Sequence, residues 1–490
     1  MSKLLLTFYG DDFTGSTDAL EQLTLAGIRT ALFIKPPTPR QLARYKNLQA
    51  IGVAGMTRSM TPDAMERELR PALKKLKALG ARHVHYKVCS TFDSSPEIGS
   101  IGRAIDVGAE IFRAPFVPLL VAAPVLGRYC VFGNLFARYG IGSAGAIHRL
   151  DRHPSISKHP VTPMTEADLR LHLGKQTKKR IGLFDILKVA LPEKEARAAL
   201  RKILREPTPS PSKEGSRTSN ASAGQFPSWE GSGVGCPEVV LFDALDAGHM
   251  RCIGELIDGV ASAKQPLFSV GSSGIEMALG AHWALSHSRS SGRESVLTLT
   301  RGDFKVSGLT SAATGQILIG SGSCSPVSSG QIAWALKNGF AEVPLNVAAL
   351  AGGKGAAAEI QRASSAAAKL LNAGRSVIVH STKSGSDRRI AAKLGNRTAQ
   401  VLGTALGEVL RGALGQASVR RLCIAGGDTS SYAARALGIE ALEMIAPLTP
   451  GAPLCRATAP GSPADGLEVV FKGGQVGAEN YFGTVKGGRT

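Results

Sequence analysis

The chain has 490 residues, 43% of them hydrophobic and 57 of them glycine. That excludes a small disulfide-stapled scaffold and an unfolded chain, and it leaves room for two or three domains, each with its own core. Lysine and arginine outnumber aspartate and glutamate by 58 to 38, a formal net charge of +20, which favours anionic partners: nucleic acid, a lipid surface, or a phosphorylated or carboxylated small molecule. The basic residues are dispersed, densest at Lys74-Lys75-Leu76-Lys77 and Lys178-Lys179-Arg180, and aromatics make up only 5%. With no basic stripe interleaved with aromatics and no helix-turn-helix or finger pattern, the charge reads first as a generally basic, solvated surface, and no nucleic-acid partner is expected. The seven cysteines, Cys89, Cys130, Cys236, Cys252, Cys324, Cys423 and Cys455, form no CxxC pair or zinc spacing, so a reducing, cytoplasmic setting is expected. No window reaches the ~20 apolar residues of a membrane span, and no membrane partner is expected.

In chain order, LLLTFYG opens as an apolar strand, and GDDFTGSTDALEQLTLAG follows as a polar loop running into a helix. TALFI and QAIGVAG read as strands, Thr61 to Leu79 as a helix ended by Gly80, and HVHYKV as a further strand. FVPLLVAAPVLG, with its internal prolines, reads as a buried strand and turn. Alternating β and α segments predict a mainly parallel sheet covered on both faces. From 205 to 236 the chain becomes Pro/Ser/Gly-rich and nearly free of aliphatics; such a segment cannot offset its ordering entropy by burial and reads as a disordered surface insertion. VVLFDAL and PLFSVGSSGIEMALGAHWAL restore the pattern, and the polar stretch 286–312 reads as a linker. Beyond it QILIGSGSCSPVSSGQIAWALKNG, SVIVHS, RLCIAGGDTSSYAARALG and VVFKGGQVG repeat strand, small-residue loop and helix. The expected organisation is two α/β domains with mainly parallel sheets, 1–285 and 313–490.

Several motifs can be set aside. GxGxxG occurs at Gly140, Gly142 and Gly145, but it follows Arg138 and runs into Pro154 rather than lying between strand and helix, which disfavours a nicotinamide-dependent oxidoreductase. The Walker pattern is absent. His83 and His85 alternate on a strand without a third ligand at metal spacing and read as polar strand positions.

The loop GDDFTGSTD is more informative, because it follows the first strand at the edge where open α/β sheets place ligands. Asp11, Asp12 and Asp18 crowd there with Thr14, Ser16 and Thr17, and like charges this close need a ligand, a cation or backbone donors. Helix capping accounts for Asp18 more easily than for the Asp11-Asp12 pair, one of which could take a hydroxyl proton while the other orients it. Arg58-Ser59 and Lys87, followed by Ser90 and Thr91, end consecutive strands and together outline a pocket for a hydroxylated acid. In the second half, GSGSCSP, AGGDTS and Lys472-Gly473-Gly474 let backbone N–H groups approach an anion at helix N-termini, which points to a nucleotide site without a Walker motif.

Together these residues resemble the four-carbon acid sugar kinases. GDDFTGSTD is similar to that family's amino-terminal DDxTG signature, TRS to its strand-end arginine, YKVCSTFDSS to its Lys…Asp-Ser-Thr segment, and GSCSP, AGGDTS and FKGGQVG to its nucleotide-domain motifs. The resemblance covers most of the chain outside the insertion. It implies a sugar-acid domain, an ATP domain, and a reaction in the cleft between them, with ATP as donor, Mg²⁺ as its cation and no dedicated protein metal site. Carried onto this chain, it implies Asp12 as general base beside Asp11, and Arg58, Ser59, Lys87, Ser90 and Thr91 as substrate contacts. Ser323, Ser325, Gly426, Gly427, Asp428, Thr429, Gly473 and Gly474 would contact ATP. Cys89 stands where the family usually has a carboxylate, and FKGGQVG departs from its closing pattern. These departures resemble the branch acting on 3-oxo-isoapionate, the alternatives being threonate, erythronate or 3-oxo-tetronate. The resemblance leaves homodimer formation open, and a catalytically dead ATP sensor is a rival that only turnover separates.

Overall fold

The computed structural model describes residues 4–139, 145–159, 161–205, 236–290, 315–352, 355–381 and 398–487. Most of the 205–236 insertion, most of the 286–312 linker and the first two glycines of the GxGxxG run lie outside the described residues. The helix Gly274–Ser290 runs into the first residues of the stretch 286–312 expected to be linker.

Among the described residues the first half supplies eleven strands: β1 (Leu6–Gly10), β2 (Thr30–Phe33), β3 (Ala50–Ala54), β4 (His83–Lys87), β5 (Val117–Leu120), β6 (Arg128–Val131), β7 (Asn134–Arg138), β8 (Ile147–Arg149), β9 (Ile181–Phe184), β10 (Val239–Phe242) and β11 (Leu267–Gly271). The second half adds β12 (Ile317–Ser321), β13 (Ala341–Pro344), β14 (Val377–His380), β15 (Arg421–Ala425), β16 (Ala441–Thr449), β17 (Ala452–Thr458) and β18 (Glu468–Lys472). The α/β class holds, and the predicted strands appear where their apolar runs lie. Strands β1, β3, β4 and β5 are buried along their whole length, as expected of parallel strands covered on both faces.

The two sheets are not separate. Fifteen strands form one sheet in the order β13-β14-β12-β15-β18-β17-β16-β2-β3-β1-β4-β11-β5-β10-β9, with β6-β7-β8 as a small second sheet. The halves join where β16 pairs antiparallel with β2, Ala441 opposite Phe33 and Leu442 opposite Leu32. The helix Phe13–Leu25 reinforces the seam. Its Phe13 ring packs 4.4 Å from that of Phe471, and its Glu21 Oε2 accepts a 2.6 Å hydrogen bond from the Gly451 N–H. Arg435 donates across to the carbonyl of Ala54 at 3.0 Å. Among the described residues no helix is long and apolar enough to cross a membrane.

Register places the functional loops. In the first half Gly10 lies opposite both Ala54 and Lys87, and Lys87 opposite Gly271, so β1, β3, β4 and β11 end level. In the second half Ser321 lies opposite His380 and Ala425, and Ala425 opposite Lys472. In each half the chain moves both ways from a central strand, β1 or β12, and the crevice at the carboxyl ends beside such a strand is where ligands bind.

Phe13 and Phe471 are fully or almost fully buried, so Phe13→Ala removes a large side chain from the seam. The expected loss is about 3–5 kcal/mol of unfolding free energy, measured by denaturant titration; a loss below about 1 kcal/mol would show that the seam does not depend on this pair.

Candidate active site

Strand β1 ends at Gly10 because nothing larger fits: a Cβ there would meet the Ser16 Oγ at 1.9 Å. The chain turns at once into Asp11 and Asp12. The Asp11 N–H donates to the Lys87 carbonyl (2.8 Å) and its carbonyl accepts from the Arg58 N–H (3.1 Å), which ties together the ends of β1, β4 and the turn after β3. Asp12, in extended backbone, caps the helix Phe13–Leu25. Its Oδ1 accepts from the Gly15 N–H at 2.7 Å, and its Oδ2 from Thr14 Oγ1 at 2.8 Å and Arg58 Nη1 at 2.9 Å. The capping aspartate is thus Asp12, and Asp18 lies inside the helix, which corrects the expectation that Asp18 is the cap.

Arg58 reaches both aspartates, with Nε 3.5 Å from Asp11 Oδ2. Lys87, almost fully buried, places Nζ 3.7 Å from Asp18 Oδ2 and donates to the Val88 carbonyl at 2.9 Å. Both cations therefore face carboxylates of the protein itself. Their environments drive the aspartate pair apart. Burial pushes the Asp11 carboxyl up to about 6; Arg58 opposes this and Asp12 adds to it. Burial also acts on Asp12, but Arg58, Lys87 and the hydrogen bonds from Thr14 and Gly15 outweigh it and hold Asp12 below the ordinary carboxylate value. Asp11 Oδ1 and Asp18 Oδ1 are buried without hydrogen-bond partners.

The remaining candidates divide. Ser90 and Thr91 are buried beside this cluster, Thr91 Oγ1 lying 2.9 Å from Cys89 Sγ. Ser59 is exposed on the turn Thr57–Ser59 and shares little with Arg58 beyond that turn. In the second half Ser325 caps the helix Pro326–Lys337 through the Val327 N–H (3.2 Å) and its own N–H donates to Ser323 Oγ (3.2 Å). Gly426 takes φ +131°, a conformation few other residues adopt, and precedes the helix Gly427–Ala436. Thr429 is buried near Gly322. A Cβ on Gly474 would lie 2.8 Å from Ser323 Oγ and 3.1 Å from Ser325 Cβ, so the three small-residue loops converge.

The two sets of loops face each other. A Cβ on Gly427 would lie 3.7 Å from Asp12 Oδ2, and one on Gly473 would lie 4.0 Å from Thr14 Oγ1. Asp428 feels the same neighbours: burial raises its carboxyl, Arg58 lowers it and Asp12 raises it further.

Sequence reasoning missed three features. Lys472 is fully buried, donates to Ser328 Oγ at 3.2 Å and lies 5.6 Å from the Tyr481 ring centre; burial draws its amine down to about 8. The loop Gly271–Gly274 after β11 carries the same strand, Gly/Ser and helix signal as the nucleotide loops, yet it reads as a mere turn in sequence. His83 and His85, read as polar strand positions, are buried on that strand, and what sequence did not show is their pairing with Asp258 (2.9 Å) and Glu276 (2.6 Å).

Two family models match the chain: a sugar-binding N-terminal domain matches residues 6–279 and a nucleotide-binding C-terminal domain matches residues 318–482. The chain belongs to the four-carbon acid sugar kinase family. It is 42% identical to a 3-oxo-isoapionate kinase of Paraburkholderia graminis, with 99% of this chain and 95% of that protein aligned. It is 28% identical to a 3-oxo-tetronate kinase of Pseudomonas savastanoi pv. phaseolicola, over 98% and 96% of the two chains. Crystal structures from Salmonella typhimurium LT2 (TM-score 0.69, 23% identity, 99% of each chain) and Haemophilus influenzae (TM-score 0.63, 20% identity, 98% of this chain and 99% of that one) share the fold. The protein is a phosphotransferase acting on sugar acids, with a nucleotide-binding carboxyl-terminal half.

The raised Asp11 pKa has a sign that can be checked. The unfolded chain releases this proton near 3.8 and the folded one near 6, so the unfolded state binds fewer protons between those values and stability falls as pH rises through that window. Asp11→Asn removes the effect: its stability relative to wild type should grow by about 1–3 kcal/mol between pH 4 and 7. Denaturant titrations giving parallel pH profiles for the two proteins would overturn this.

Proposed function

We propose that the protein transfers the γ-phosphoryl group of ATP to a hydroxyl of a four-carbon or branched 3-oxo sugar acid, with 3-oxo-isoapionate as its substrate. The identity to the Paraburkholderia graminis kinase favours that acid over the tetronates. The observation that carries the reading is the approach of Gly427 and Gly473 to Asp12 and Thr14, which leaves donor and acceptor no room to be apart.

In this reading the acid lies over Asp11, Asp12, Lys87, Ser90 and Thr91, and the triphosphate lies on the loops of Ser323, Ser325, Gly426 to Thr429, Gly473 and Gly474. The hydroxyl oxygen bonds to the γ-phosphorus as the bond from that phosphorus to the bridging oxygen breaks, ADP leaves, and the hydroxyl proton passes to Asp12. Asp12 suits the task through position more than basicity. Held ionised by Arg58 and Thr14, it aligns the hydroxyl, and it accepts the proton only as the new bond forms, in keeping with the loose transition states of phosphoryl transfer. Asp11, whose carboxyl titrates near 6, is its neighbour in the same hydrogen-bonded corner.

Among the described residues no three His, Cys, Asp or Glu side chains gather as a metal cage. Mg²⁺ commonly binds through one or two carboxylates and the substrate's phosphates. Asp428, half-buried and with its carboxyl raised first by desolvation and then by Asp12, is an oxygen donor that fits such an ion, which would neutralise phosphate charge. The seven cysteines are all free thiols, in keeping with a reducing, cytoplasmic setting.

A coupled assay of ADP release over C4 and C5 sugar acids and their keto forms tests the substrate, and faster turnover of threonate or erythronate than of the oxo acids would remove the preferred assignment. Asp12→Ala should lower kcat by about 10²–10⁴ with ATP affinity unchanged. Gly427→Val, which fills the gap facing Asp12, should chiefly weaken ATP binding. An Asp12→Ala enzyme with full turnover would end the role given to that residue.

A further inference from the structure

Arg58 and Lys87, the anchors expected for the substrate's acid group, are already held by Asp11, Asp12 and Asp18. A third cation at the same edge is not. Arg128 opens β6, and its backbone pairs with Ala123 in both directions, at 3.0 and 3.2 Å. Ala123 lies just past the carboxyl end of β5. The adjacent β11 is tied to that end through Ser272, whose N–H donates to the Leu120 carbonyl (3.0 Å) and whose Oγ donates to the Val121 carbonyl (2.8 Å). The order β1-β4-β11-β5 therefore sets Arg128 beside the strand ends that carry Asp12 and Lys87. Three strand spacings, about 14 Å between backbones, separate β5 from β1, a span that an arginine side chain and a short sugar acid fill together.

The state of the guanidinium is unusual. Arg128 is only 5% exposed. Its Nη1 donates to the carbonyls of Leu126, Gly127 and Arg138 at 3.1 to 3.3 Å, while Nε is buried with no hydrogen-bond partner. Among the described residues no carboxylate stands within ion-pair distance. Asp93 and Asp18 act on it only from farther away, and Cys89, whose thiol burial keeps protonated, brings no counter-charge. Burial draws the Arg128 pKa below the ordinary arginine value. His153 beside it is held at about 4 by burial and then by Arg128, so it stays neutral and adds no second cation. A buried charge without a partner is costly, and a carboxylate supplies the missing partner in the planar, two-point geometry that a guanidinium accepts.

We propose that Arg128 is the residue that receives the substrate's carboxylate, at the β5 end of the crevice, with the reacting hydroxyl at Asp12. The assignment rests on the sugar-acid kinase reading above. It makes Arg128 a specificity residue: it selects acids over neutral sugars and holds the chain of the substrate lengthwise along the strand ends.

The test compares the full-length wild type with Arg128→Gln and Arg128→Lys, using the sugar acid turned over best and its primary amide. The expected result for Arg128→Gln is a KM for the acid raised roughly 100-fold, a KM for ATP unchanged, and an acid-to-amide preference reduced close to one; Arg128→Lys should recover part of the preference. A purely structural role would not change that preference. A folded variant that keeps the wild-type KM and preference overturns the assignment. Should both variants fail to fold, a crystal structure of the wild type with the acid decides: a carboxylate about 3 Å from the Arg128 guanidinium supports the proposal and a carboxylate held elsewhere overturns it. A wild type that phosphorylates no sugar acid removes the kinase reading and this one together, whereas an active wild type with an indifferent Arg128→Gln removes this one alone.

Discussion

The structure depends on keeping like charges together out of water. Asp11, Asp12 and Asp18 are all buried within a few residues of one another, and in isolation each would be driven neutral or outward. What holds them is a second set of charges delivered by other strands: Arg58 from the turn after β3 and Lys87 from the end of β4. Those cations reach the aspartates only because Gly10, Ala54 and Lys87 stand level across three parallel strands. Register, set by the apolar pattern of each strand, thus becomes electrostatics at the edge of the sheet. The result is uneven, one carboxyl raised and its neighbour lowered.

The nucleotide half solves a different problem with different residues. Phosphate oxygens need donors at close approach more than they need fixed charge, and small residues at strand ends followed by helices supply them. The small residues at these strand ends are Gly426 at positive φ, Gly427 open toward Asp12, and Gly474 against Ser323. Lys472 is buried under these loops against Ser328 and Tyr481. It supports the loop from beneath.

Much of this was legible in the sequence, and the boundary of legibility has a physical reason. Strand and helix positions follow from local periodicity, and the DDFTGSTD and AGGDTS loops stand out because polar or small residues interrupt apolar runs where a sheet must end. Side-chain partners are another matter. Lys87 reads as an anchor for a ligand, yet its partner is Asp18, a pairing that exists only once β4 lies beside β1. In sequence Asp18 is the easier cap, and only the backbone conformation at Asp12 decides otherwise. Arg128 sits in RYCV, an ordinary edge-strand tetrapeptide, and its lack of a counter-ion is a property of everything packed around it. The junction of β2 with β16 brings together residues some 400 positions apart and leaves no local trace.

That junction also changes how the site excludes water. Two domains on a flexible connection would close over their substrates by swinging together, as kinases that avoid hydrolysing ATP commonly do. Here the halves are already one sheet, and the Phe13–Phe471 packing, the Glu21–Gly451 hydrogen bond and the Arg435–Ala54 hydrogen bond brace it at several heights. The irregular place in the seam is β16 itself, whose pairing with β17 slips in register between Met444 and Ala446 and again between Ala446 and Thr449. Such bulges bend a sheet and increase its twist without breaking it. The seam thus stays continuous through its bulges, and the loops on its two sides already stand within a side chain's length of one another.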